Sequence, residues 1–142
     1  MPTVRHNPAA IAVATLLYFF LGAAWFTTFM NPWLAGVGRT MAELKASGVP
    51  PWMGYVVALV MAVILATAIS WIIQATGPQT AARGAKVAVA LWLGFVFTTW
   101  ATEYAFEARG IRILAINTGY PIVGMLIMGL VIGGWRAKPR AS

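Results

Sequence analysis

Cysteine is missing from this 142-residue chain, and histidine occurs once, at His6. The first absence excludes disulfides, thiolate metal sites, haem attachment through cysteine and cysteine nucleophiles. The second leaves no histidine cluster to hold a metal within one chain, and no separate histidine base for each serine or threonine. Charge is scarce as well. Charged residues make up 9% of the chain, against about 25% in an average soluble domain. Acid is scarcer still, with only Glu43, Glu103 and Glu107. No Walker loop, dinucleotide fingerprint, metalloprotease helix or serine-hydrolase elbow is present. These absences speak against an enzyme. No axial ligand or cofactor motif is visible, so no cofactor is expected.

What fills the chain instead is hydrocarbon, with 61% hydrophobic residues. Four apolar stretches run over about residues 9–30, 52–74, 87–106 and 113–135. A bilayer crossing needs about 20 mainly apolar residues at 1.5 Å rise each, and all four stretches meet that length. The lipid bilayer is therefore the expected partner. The expected fold is all-α: a four-helix transmembrane bundle forming one domain over residues 1–142. The N-terminal run is longer than the 7–15 residues of a typical signal-peptide core. It is followed by Trp25, Phe26, Phe29 and Trp33, so it reads as a retained first span.

The net charge of +7 does not point to nucleic acid. Basic residues sit in the tails and between the apolar stretches, with no basic face on any span, whereas nucleic-acid binding needs a matched patch. Charge at span ends sets membrane orientation. The tails and middle loop carry Arg5, Arg83, Lys86, Arg136, Lys138 and Arg140, against Arg39, Lys45, Arg109 and Arg112 on the other side. This excess favours both tails in the cytoplasm. Arg136, Lys138 and Arg140 are also placed to touch anionic headgroups.

The longest outer loop, residues 31–51, contains Thr40-Met41-Ala42-Glu43, a capping box that predicts a short interfacial helix over residues 41–46. Gly48, Pro50 and Pro51 then stop it. It is either a packed connector or a lid over a site.

Lipid provides no hydrophobic drive between helices, so close backbone approach at small residues must supply packing. The second span carries Gly54, Ala58, Ala62, Ala66 and Ser70 at every fourth position, and the third carries Ala90, Gly94, Thr98 and Thr102. The fourth contains Gly129-x-x-x-Gly133. One bundle can use two or three such faces internally. A leftover face suggests a homo-oligomer or a larger membrane complex.

The polar candidates cluster where the third and fourth spans meet. Glu103 and Glu107 share a helix face, and Arg109 and Arg112 follow. Counted from Gly110, Glu103 lies seven residues before and Asn117 seven after, so the two share a depth. Pro121 lacks an N–H and leaves the Asn117 carbonyl without its helix partner. The expected polar site comprises Glu103, Glu107, Asn117, Thr102, Tyr120 and Arg112, with Thr99 and Thr118 nearby. It is either a structural set of interhelical contacts or a proton or cation site with Glu103 at its centre. Most of the seven tryptophans fall near span ends, as an interfacial belt does.

Residues 91–95, Leu-Trp-Leu-Gly-Phe, with Glu107-Ala108-Arg109, Ile116-Asn117-Thr118-Gly119-Tyr120 and Met128-Gly129, resemble a bacterial membrane family labelled domain of unknown function DUF1761. Gly22-x-x-Trp25-Phe26-Thr27 resembles that family's signature after its first span. The chain departs at Phe26, where Tyr is frequent, and at Thr118, where Ala is common. The resemblance implies a small four-span protein of the bacterial inner membrane and brings no established activity. Two functions stay open. One is an oligomeric transporter or permeation unit using Glu103 and Asn117. The other is an accessory or assembly subunit of a larger membrane complex.

Overall fold

The structure is a computed structural model that describes residues 4–138. Arg140, counted above among the tail cations, lies outside the described residues. The described chain is all-α, and four of its helices are long and apolar enough to cross a membrane.

Helix α1 spans Pro8–Thr28. Extended Asn7 starts it, its side-chain oxygen accepting the N–H groups of Ala9 and Ala10 at 3.1 and 3.3 Å, which satisfies donors that no helix can pair internally. After the single residue Phe29 the chain re-enters a helix, α2, Met30–Val37, closed by Gly38 in the left-handed conformation at φ +72°. Helix α3, Met41–Lys45, carries the expected capping box. Helix α4 is Pro51–Ala75. The third crossing is composite: α5, Ala81–Leu91, a π-helical segment Trp92–Phe97, then α6, Thr98–Phe106. Helix α7 is Ile111–Gly134 with Pro121 inside it.

Two features differ from the sequence expectation. The first outer loop holds two helices, because the helix resumes after Phe29 as α2 and seats Gly36 against the buried Ile113 of α7. The third crossing begins at Ala81 rather than near residue 87, because Thr80 caps it through the Arg83 N–H at 3.2 Å. Arg83 and Lys86 therefore lie on its first turns and do not end the helix.

The turn between α6 and α7 pivots on Ala108, at φ +54°, not on Gly110, which is extended. The Arg109 N–H donates to the Tyr104 carbonyl at 2.9 Å and the Ala108 N–H to that of Ala105 at 3.3 Å. This is the Schellman pattern, with alanine where glycine is usual. The Arg109 guanidinium lies 5.2 Å from the centre of the Tyr104 ring and closes the motif.

Helix α7 is the axis of the bundle and packs on α1, α4 and α5. Ala14, Ala62, Ala66, Ile69, Ile73, Ala88, Met125, Met128 and Ile132 form the core. The tightest approach joins α5 to α7. A methyl on Gly84 would collide with the carbonyl of Gly129, one on Gly129 with that of Gly84, and one on Gly133 with that of Thr80. Backbone thus meets backbone, the geometry that small residues permit in lipid. Along α4 the small-residue row divides: Ala62, Ala66 and Ser70 are buried, whereas Gly54 and Ala58 are exposed. On the third crossing Ala90, Gly94, Thr98 and Thr102 face away from the bundle, and its contact face is Gly84 and Ala88. The π segment, with its i→i+5 bonding, changes the helical register that a constant spacing of four assumes.

Bonds between the chain ends show that both lie at one end of the bundle, here the tail end. Asn7 donates to the carbonyls of Trp135 and Arg136, both at 3.3 Å, and Gln79 to that of Ile132 at 2.7 Å. The α2–α3 loop and the α6–α7 turn form the opposite, loop end.

Candidate functional site

At the loop end, α1 and α4 leave open a cavity of about 890 Å³. Its walls are Phe19, Gly22, Ala23, Phe26 and Thr27 of α1 and Pro51, Gly54, Tyr55 and Ala58 of α4. Met30, Trp33, Met41 and Leu44 of α2 and α3 complete it, with Trp100 of α6 and Asn117, Tyr120 and Pro121 of α7. Small side chains create the space. A methyl on Gly54 would meet nothing within 4 Å. Toward the tail end the same helices close on Ala14, Ala62 and Ala66, which seals the floor.

An aromatic series lines one side. Trp33 packs edge-on against Phe26 at 6.0 Å between centres, Phe26 against Tyr120 at 5.6 Å, and Tyr120 tilts on Tyr18 at 4.7 Å. The Tyr120 hydroxyl donates to the Tyr18 carbonyl at 3.2 Å. Gly22 makes room for Tyr120, because a methyl there would stand 2.9 Å from the phenolic oxygen.

The α7 backbone beside the cavity is held from two sides. The Trp25 indole N–H donates to the Ile116 carbonyl at 3.0 Å, and the Trp92 indole N–H to that of Thr118 at 2.8 Å. These carbonyls flank Asn117, whose own helix acceptor role is disrupted by Pro121. Gly119 admits the Trp25 ring, 3.0 Å from where a methyl would sit. Trp25 and Trp92 thus bond the backbone within the bundle, and for Trp25 this replaces the interfacial-belt role that its place near a span end suggested.

The sequence-derived polar residues do not converge on one point. Asn117 lines the cavity, and its amide N–H donates to the Tyr104 hydroxyl at 2.6 Å. Tyr104 is buried and meets Trp100 edge-on at 5.2 Å. Glu103 is exposed, and no hydrogen bond or ion pair joins its side chain to another described residue. Depth relative to Gly110 is common to both positions, but one residue along a helix turns the side chain by about 100°, and it is Tyr104 that faces α7. Glu107 pairs with Arg109 within the turn, a half-exposed pair of small energetic weight. Arg112 is exposed. Thr102 is exposed and its hydroxyl donates back to the Thr98 carbonyl at 2.8 Å. Tyr120 lines the cavity.

Near the cavity, α3 is fixed by its cap. The Thr40 backbone N–H donates to the Glu43 carboxylate at 2.7 Å and the Thr40 hydroxyl at 3.0 Å. These bonds, the backbone one first, hold the Glu43 carboxyl below the usual glutamate range.

The model of a family described as "Protein of unknown function (DUF1761)" matches residues 9–133. No curated protein matches the chain. No solved structure matches it.

Proposed function

We propose that this chain, which belongs to the DUF1761 family, receives a lipophilic amphiphile in its loop-end cavity as the binding step of a permeation or transport unit. The observation that carries this reading is the cavity itself: about 890 Å³, mostly apolar walls, and a few polar groups from Thr27, Asn117 and Tyr120. Small-molecule sites have this size and this balance. The role is binding and passage rather than catalysis. Glu103 is not among the lining residues, so the reading does not use it as a proton carrier. The floor is closed by the alanine contacts of the core, so one protomer holds a dead-end site. Passage then needs a second copy or a movement of α1 against α4.

Proteoliposomes containing a single-chain lipid with an NBD-labelled headgroup test this reading, with dithionite reporting movement between leaflets. The protein should accelerate that movement, Ala58→Phe should return it to the protein-free rate, and Glu103→Gln should leave it unchanged. Equal rates with and without the protein reject the permeation role.

A second reading, an accessory subunit of a larger complex, is favoured by the outward face of the third crossing. Gly94 there has open space where a methyl would be, and Phe95 is 71% exposed. Native mass spectrometry after gentle solubilisation separates the two: a self-oligomer supports the permeation unit, and a different bound chain supports the subunit.

A further inference from the structure

All three side-chain carboxylates of the chain, Glu43, Glu103 and Glu107, belong to the loop end. The tail end carries the cations Arg5, Arg83, Lys86, Arg136 and Lys138. Three of these, Arg5, Arg136 and Lys138, line one groove with His6, Asn7 and Trp135.

The groove is a built surface. The Arg5 backbone N–H donates to the Gln74 side-chain oxygen at 2.8 Å, and its guanidinium donates to the Lys138 carbonyl at 3.2 Å. His6 Nδ1 meets the Ser70 hydroxyl at 3.0 Å. Asn7 bridges to the carbonyls of Trp135 and Arg136, and Arg136 Nε donates to the Gln79 carbonyl at 2.9 Å. These bonds hold the segment before α1 against the segment after α7. Each guanidinium spends one of its nitrogens on a neutral carbonyl and keeps the others, and among the described residues no carboxylate pairs with either arginine. A guanidinium presents five donors in a fork suited to phosphate oxygens.

We propose that this groove binds the phosphate of an anionic phospholipid, with Arg5 and Arg136 as its donors and Lys138 as a third cation. The position selects lipid over a soluble anion. The groove lies where α1 begins and α7 ends, level with the half-exposed Trp135, and aromatic residues of this kind sit at the headgroup layer. This site is independent of the loop-end cavity, and either can stand without the other.

The test is native mass spectrometry of the full chain from nanodiscs of mixed phosphatidylglycerol and phosphatidylcholine. Retention of phosphatidylglycerol over phosphatidylcholine is expected. The double variant Arg136→Gln/Lys138→Gln should lower that preference about thirtyfold, from the contribution of each cation near an anionic surface. Arg39→Gln at the loop end should leave it unchanged, and millimolar inorganic phosphate should not displace the lipid. Equal retention of the two lipids, an equal loss in Arg39→Gln, or displacement by inorganic phosphate overturns the proposal. Should the double variant fail to fold, Lys138→Gln alone should lower the preference about fivefold, and no change there overturns it equally.

Discussion

The side-chain amide of Asn117 donates to the hydroxyl of Tyr104 across 2.6 Å, and this bond ties the end of the third crossing to the proline-interrupted stretch of the fourth. Tyr104 also caps its own helix end, with its carbonyl accepting the Arg109 N–H and its ring under the Arg109 guanidinium. One residue thus fixes the turn, the helix pair and the wall that Asn117 gives to the cavity.

Removing the hydroxyl isolates that bond. Tyr104→Phe should destabilise the protein by about 0.6 kcal/mol and at most about 1.7, the range measured for interhelical hydrogen bonds in membranes. Glu103→Gln should stay within about 0.5 kcal/mol, as exposed substitutions do. Equilibrium unfolding in mixed micelles with increasing dodecyl sulfate measures both. A larger loss for Glu103→Gln than for Tyr104→Phe would return Glu103 to the centre of the polar set.

The glycines of the third crossing should separate into two kinds. In Gly84→Ala the new methyl meets the Gly129 carbonyl, and α5 and α7 must move apart. A loss of about 1–3 kcal/mol is expected, as for other overpacked sites. In Gly94→Ala the methyl enters open space, and no loss is expected. The same unfolding titration compares them.

Ala108 sits in a left-handed conformation that disfavours a β-carbon by about 1–2 kcal/mol. Ala108→Gly relieves this, although glycine gives the unfolded chain more freedom. The net outcome should be a gain of about 0.5–1 kcal/mol, read as a shift of the unfolding midpoint with an unchanged slope.

The α3 cap should depend on acidity. The Glu43 carboxyl titrates below its ordinary value because Thr40 bonds its charged form. Its contribution is therefore fully present above the ordinary glutamate pKa and is lost as pH falls through the lower folded value. Hydrogen exchange of residues 41–46, corrected for the intrinsic rate at each pH, should show protection at pH 7 that declines in acid. Glu43→Gln should remove that pH dependence.

The crossings were legible because hydropathy and length alone decide whether a segment can span lipid. The loop helix over residues 41–46 was legible because its capping box is a local signal, and the structure closes it at Lys45. Azimuth was not legible. Depth put Glu103 beside Asn117, but neighbouring helix positions point about 100° apart, and it is Tyr104 that meets Asn117. Gly84 was hidden because the apolar stretch opens only near residue 87, whereas the helix starts at Ala81. The contact face that Gly84 shares with Ala88 therefore began outside the expected span, and the Gly94 row lies on the outer side. The cavity was invisible for another reason: it needs Gly54 and Ala58 of α4 to stand opposite Gly22 and Ala23 of α1, and pairing between distant helices leaves no local pattern. The indole bonds of Trp25 and Trp92 to α7 are likewise long-range.

The occupancy of the loop-end cavity can be read from its own tryptophans, since Trp33 and Trp100 line it. Titration of the nanodisc-embedded protein with 1-bromododecane, a quencher carried on an alkyl chain, should give a saturable phase of fluorescence loss above a linear background. Ala58→Phe should abolish the saturable phase and keep the background. Strictly linear quenching of the unsubstituted protein, or a saturable phase untouched by Ala58→Phe, would contradict a lipophile-binding cavity.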